Sequence, residues 1–278
     1  MIELTDTHCH IHEIVASVHH DEIEQGGGPS MYERWQKAGK TPEGVIADAK
    51  AAGVSRMICV GCTTADSELA TDFVQHYDCT WASIGIHPHE AQYHINRLDL
   101  LKKFTDLATR PKVVAVGECG LDYYYNHSPK EDQEKILRFQ IELALEHGLP
   151  MIFHVRNAFD DFFKIFDDYK NIRGVVHSFT ATEKELAQVL ERGLYVGLNG
   201  IMTFTKIDAQ LAVAKAVPLE RLVLETDAPF LTPAPKRNEI CEPRHVRVTA
   251  EFLANLRGEA LEDLAAATTA NARKLFGI

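Results

Sequence analysis

Short apolar runs rich in Val, Ile and Leu recur along the whole chain, separated by segments with helical start signals, and this alternation limits the possible folds more than any other feature. The runs fall at 2–7, 56–61, 80–86, 112–118, 150–155, 174–177, 194–198 and 221–227. Most lack strict polar alternation, as expected of parallel strands covered on both faces. Between them, Thr41-Pro42 opens a helix, and Ser128-Pro129-Lys130-Glu131 combines an N-cap, a Pro at the first helical position and a capping-box Glu. Thr182 and Glu185 repeat the box. About eight such units followed by extra C-terminal helix predict a single (β/α)8 TIM barrel over residues 1–278, a length near the usual size of that fold. An open doubly wound sheet is the competing architecture, but the Gly-x-Gly-x-x-Gly turn that would favour it is absent.

One segment breaks the rhythm. From Glu13 to Lys40 the chain is polar and carries Gly26-Gly27-Gly28-Pro29, whereas most strand-to-helix loops run about 2–6 residues. Such an excursion is expected to be a functional lid or a disordered loop over the barrel mouth. Within it, His19-His20-Asp21-Glu22 reads as a solvated charged run with some capacity to bind a metal.

Hydrophobic residues make up 45% and charged residues 25%, enough to bury a sizeable core in a soluble chain. The formal net charge of −11 argues against coating nucleic acid through a basic surface. It does not exclude a nuclease whose metals supply positive charge where a phosphate docks. Six scattered cysteines, with no secretory signal and no apolar run long enough to span a bilayer, predict reduced thiols in a cytoplasmic protein. Cys59 and Cys62 have redox-motif spacing, but Cys59 sits in an apolar run and reads as a buried small hydrophobe. No membrane and no stable protein partner are implied.

The runs end in residues that bind metals. His8 and His10, two apart on the first strand, present both imidazoles on one face, and Asp6 shares it. Glu118, His154, His177 and Asp227 stand at the C-terminal ends of four later runs, where catalytic residues of such barrels gather. Nitrogen and carboxylate donors suit Zn²⁺, Mn²⁺, Fe²⁺ or Co²⁺ more than Ca²⁺. Six candidates exceed the three that one catalytic ion needs, so two divalent ions are expected, with Glu118 as the bridge. His8 and His10 would take one ion and His154 and His177 the other, while Asp227 ligates and accepts a proton from water. Asp6 and Glu225 are placed to orient ligating histidines. His87 and His89 follow the third strand, and His87 and Arg156 are candidates to hold substrate phosphate.

Taken in order, Asp6-x-His8-x-His10, Gly85-Ile-His-Pro-His, Gly117-Glu-Cys-Gly-Leu-Asp122, His154-x-Arg156, His177-Ser-Phe, Leu224-Glu-Thr-Asp-Ala-Pro229 and Thr269-Ala-Asn-Ala-Arg-Lys-Leu-Phe-Gly277 resemble the TatD-type metal-dependent deoxyribonucleases over nearly the whole chain. The resemblance implies a two-metal barrel hydrolase of phosphodiester bonds, with ligands at His8, His10, Glu118, His154, His177 and Asp227, Mg²⁺ among the possible ions, and a substrate-side loop carrying Lys236 and Arg237. DNA, cut from single-stranded ends, or a smaller phosphate ester is the expected substrate. Two departures, the long excursion and His12 where an acidic residue is common, bear on substrate choice. The alternative enzyme is an amidohydrolase-type barrel acting on an amide, lactone or carboxylic ester. Such barrels often bridge their metals with a carbamylated Lys at the end of the fourth strand, where this chain has Glu118. A non-catalytic barrel would be expected to have lost ligands, and none of the six is missing.

Overall fold

The computed structural model describes residues 2–18 and 29–278, so the His19-His20-Asp21-Glu22 reading lies outside the described residues. Eight strands follow one another around a barrel: β1 (Leu4–Cys9), β2 (Val54–Val60), β3 (Thr80–Ile84), β4 (Val113–Asp122), β5 (Met151–Arg156), β6 (Gly174–Val176), β7 (Tyr195–Leu198) and β8 (Leu222–Leu224). Each pairs in parallel with the next, because each strand is separated from its neighbour by a helical crossover that covers the sheet from outside.

The seam between β8 and β1 is closed differently. One bridge joins Cys9 to Ala228, with His10 N–H donating to the Ala228 carbonyl at 2.7 Å and Asp227 N–H to that of His8 at 2.8 Å. Below it, the buried Asp6 carboxylate accepts the backbone N–H of Thr226 at 2.9 Å and its hydroxyl at 2.6 Å. A side chain thus takes over part of the ladder's role, and β8 ends at Leu224, leaving Glu225 and Asp227 just beyond the strand. β4 departs the other way: it runs past Glu118 to Asp122 because Cys119 to Asp122 continue to pair with Phe153 to Arg156.

The core has two layers. Outside the barrel, helices pack on the strands. Inside it, Ile58, Ile152, Val175, Tyr195 and Val223 meet Leu275 and Phe276 from the helix Leu261–Phe276, which plugs the end away from the C-terminal strand ends. Burying each large apolar side chain there is worth roughly 1.5–3 kcal/mol. All six cysteines are buried and unpaired. No helix among the described residues is long and apolar enough to cross a membrane.

Two local expectations meet different outcomes. Thr182 and Glu185 form the capping box of the helix Glu183–Glu191, and Thr41 caps the helix Pro42–Ala51. Ser128, by contrast, does not cap the helix Lys130–His147. Its hydroxyl instead donates to the His89 carbonyl at 2.6 Å and accepts the Gln92 N–H at 3.1 Å, pinning the loop after β3. The described part of the long excursion is ordered by packing: a buried turn at Ile11–Ile14 meets the helix Met31–Lys37, whose Ser30–Glu33 capping box and fully buried Trp35 anchor it to the barrel.

Candidate functional site

Strand period two builds the site. His154 and His177 lie two residues after the interior Ile152 and Val175, so they face the same way one layer higher. Glu118, from β4, stands at the centre. Its Oε1 lies 2.8 Å from His154 Nδ1, 3.0 Å from His177 Nε2 and 3.5 Å from His87 Nε2. Its Oε2 lies 3.4 Å from His8 Nε2. Asp227 Oδ1 is 3.5 Å from both His8 Nε2 and His10 Nε2. The rings of His8 and His177 stack with centroids 3.9 Å apart. These groups open onto a cavity of about 620 Å³ at the barrel mouth.

Buried carboxylates and imidazoles set one another's charge here. Burial opposes a charge on Glu118, but His177 and His87, together with hydrogen bonds from His154 and His177, hold its carboxyl well below the usual range. Burial likewise opposes a charge on Asp227, yet the His10 bond and the His8 imidazole keep it ionised. His8 is pushed down by burial and by the neighbouring His177. For His177 burial is outweighed by Glu118 and Glu225, which raise it well above the ordinary value. His8 is fully buried, and neither ring nitrogen has a hydrogen-bond partner among the described residues. A buried polar atom in that state calls for a ligand. A divalent cation fits the donor set, since His8, His10 and Asp227, or His8, Glu118 and His177, place ligand atoms within 4.8 Å of one another. His154 falls in a third such group with Glu118 and His87, so His87 sits among the candidate ligands as well as beside the cavity.

The remaining expected residues divide. Glu225 Oε1 reaches His177 Nδ1 at 3.2 Å and accepts the Ser178 N–H at 2.6 Å, the position of a group that orients an imidazole. Asp6 departs from that expectation: it accepts the His8 backbone N–H at 3.2 Å and the Thr226 bonds, so it holds the strand rather than a ring. Arg156 lines the cavity. Lys236 and Arg237 do not. Lys236 lies 3.6 Å from Glu239, and Arg237 donates to the Thr232 carbonyl at 2.7 Å with its guanidinium over the Phe204 ring, because local partners draw both side chains away from the mouth.

Sequence reasoning passed over Asp122 as a site residue. Its Oδ2 lies 3.1 Å from His154 Nε2 and 2.9 Å from His89 Nε2, and those imidazoles, against the penalty of burial, keep it ionised. The signal was present: Asp122 is four residues after Glu118, an even spacing along one strand. Asp66 was also passed over. It lies 2.7 Å from His12 Nε2 in a fully buried pair, beside His10.

A family model described as TatD related DNase matches residues 5–277. The 3'-5' ssDNA/RNA exonuclease TatD of Citrobacter rodentium is 38% identical over 249 residues, covering 86% of this chain and 93% of its own. An uncharacterized metal-dependent hydrolase, YabD of Bacillus subtilis, is 36% identical over 242 residues, covering 85% and 92%. The crystal structure of YJJV, a TatD homologue from Escherichia coli, superposes with a TM-score of 0.83 at 25% identity, covering 99% of this chain and 98% of that one.

Proposed function

Because the chain belongs to the TatD-related DNase family of metal-dependent hydrolases, we propose that it cuts phosphodiester bonds of DNA from single-stranded ends, using two divalent ions that Glu118 and the histidines around it would hold. The observation that carries this reading is the position of Glu118, a buried carboxylate reached by histidines from four segments of the barrel at an open mouth. His8, His10 and Asp227 would hold one ion, and His154 and His177 the other. When bound, such ions supply Lewis-acid charge to the phosphate oxygens and lower the pKa of water.

The protein's own groups do the rest. Asp227, with 19% of its side chain exposed towards the cavity, accepts the proton of the attacking water at its carboxylate. Its backbone sits at φ 63° and its N–H is tied to the His8 carbonyl, which fixes the carboxylate beside the histidine pair. Glu225 holds the His177 ring, and Asp122 holds His154. Arg156 and His87, lining the same cavity, hold phosphate oxygens.

The test is hydrolysis of end-labelled single-stranded DNA, single-stranded RNA and a cyclic amide, with Mg²⁺, Mn²⁺, Co²⁺ and Zn²⁺ each supplied. Stepwise shortening of the DNA from an end is expected. Amide hydrolysis without DNA cleavage would overturn the reading in favour of an amidohydrolase.

A further inference from the structure

After Asp122, the chain carries three tyrosines over the rim of the mouth. Tyr123 packs partly against the core, but Tyr124 and Tyr125 are 57% and 51% exposed. Among the described residues, they are the aromatic members of the exposed large apolar side chains. Their placement is held from the site itself. Asp122 Oδ1 accepts the N–H of Tyr124 at 2.9 Å and of Tyr125 at 3.0 Å, while the other oxygen of the same carboxylate meets His154. The two rings stand edge to face, with centroids 4.8 Å apart.

Arg156 completes the arrangement. Its guanidinium carbon lies 4.2 Å from the Tyr124 centroid and 4.7 Å from that of Tyr125, within cation–π range of both. Tyr125 lines the mouth cavity, and Tyr124 lines a neighbouring groove of about 820 Å³. Val155, Arg156, Thr180 and Gln210 border both spaces. A chain leaving the ligand cluster for that groove therefore crosses the tyrosines and Arg156.

We propose that Tyr124 and Tyr125 form a nucleobase-stacking platform for single-stranded substrate, with Arg156 meeting the phosphate that follows the nucleotide being removed. This rests on the reading of function above. Two arguments favour a nucleobase as the occupant. A protein of net charge −11 gains little from broad counterion release, so a strand must be held by contacts that do not depend on a basic surface. Stacking on aromatic rings is such a contact, and it tolerates any sequence because every base offers a π face. Bases inside a duplex are already stacked on one another, so the platform selects unpaired strands.

The experiment compares kcat/KM for a single-stranded DNA oligonucleotide and for the same oligonucleotide carrying abasic tetrahydrofuran residues behind the terminal bond. The unmodified protein should prefer the base-bearing strand by about 5- to 150-fold, the range for stacking one base on an aromatic side chain. In Tyr124→Ala/Tyr125→Ala that ratio should collapse towards one, mostly through KM, while Tyr124→Phe/Tyr125→Phe should retain it. A ratio near one in the unmodified protein, or a ratio that survives the double alanine change, overturns the platform while leaving the nuclease reading intact. Failure of the unmodified protein to cut either strand would instead overturn the nuclease reading, and the platform with it.

Discussion

The two ends of the barrel interior stand on inward positions of the same strands, yet one is apolar and the other is crowded with imidazoles and carboxylates. On β5 the step is from Ile152 to His154, at the end of β6 from Val175 to His177, and at the end of β8 from Val223 to Glu225. Each covers two residues, about 6.6 Å along a strand. The lower layer joins Leu275 and Phe276, which are 4% and 5% exposed, and its stabilisation is apolar burial. In the upper layer, burial opposes the charge on Glu118 and Asp227, and pairing with the surrounding histidines offsets it. The difference teaches that stability and chemistry are divided along the barrel axis, so each can be attacked separately.

The largest effect should come from removing metal. Dialysis against a chelator is expected to abolish hydrolysis while the far-ultraviolet circular dichroism persists, with activity restored by a divalent salt. Cooperative unfolding on chelation would break the division, because it would make the upper layer a structural requirement of the barrel. Next comes Glu118→Ala, which should lower both bound metal, measured by elemental analysis, and turnover. Full metal content with normal turnover would remove Glu118 from the site. Asp227→Asn should preserve the fold and reduce kcat by about 10²–10⁴, the usual cost of losing a positioned base. A loss below tenfold would show that another group takes the proton.

The lower layer is sharpened by Phe276→Ala. Emptying that plug should cost about 3–5 kcal/mol in denaturant unfolding, with kcat unchanged wherever the protein remains folded. A drop in kcat without a drop in stability would show that the two layers are coupled. The smallest effect concerns salt. Binding of single-stranded DNA to Asp227→Asn should weaken with a log–log slope of about −0.7 per phosphate contact, and roughly one to three contacts are expected. A slope matching six or more would mean that the acidic surface conceals a long basic track.

Much of this molecule could be read before any fold was known. Parallel strands covered on both faces require nearly unbroken apolar runs, so the eight strands announced themselves by residue type. The ligand-type residues were legible for a related reason: a histidine or carboxylate directly after a buried run, as His177 follows Gly174–Val176, has few other reasons to be there. The family could be read as well, because its motifs are contiguous strings that keep their order along the chain.

What the chain could not show was which partner each polar group finds across long sequence separations. Asp6 looked like a group for its own strand's histidines, but it closes the barrel on Thr226, 220 residues away. Ser128 had every local mark of a helix cap, and a loop 39 residues earlier claimed its hydroxyl. Lys236 and Arg237 matched a substrate loop in residue type, yet Glu239, Thr232 and Phe204 turn them aside. Asp122 was hidden because its importance lies in binding His89, His154 and the two tyrosine amides at once. Local pattern determines what a residue can bond to, since its chemistry and strand phase travel with the sequence. Only closure of the barrel decides which of the competing partners comes within about 3 Å, the range over which a hydrogen bond forms.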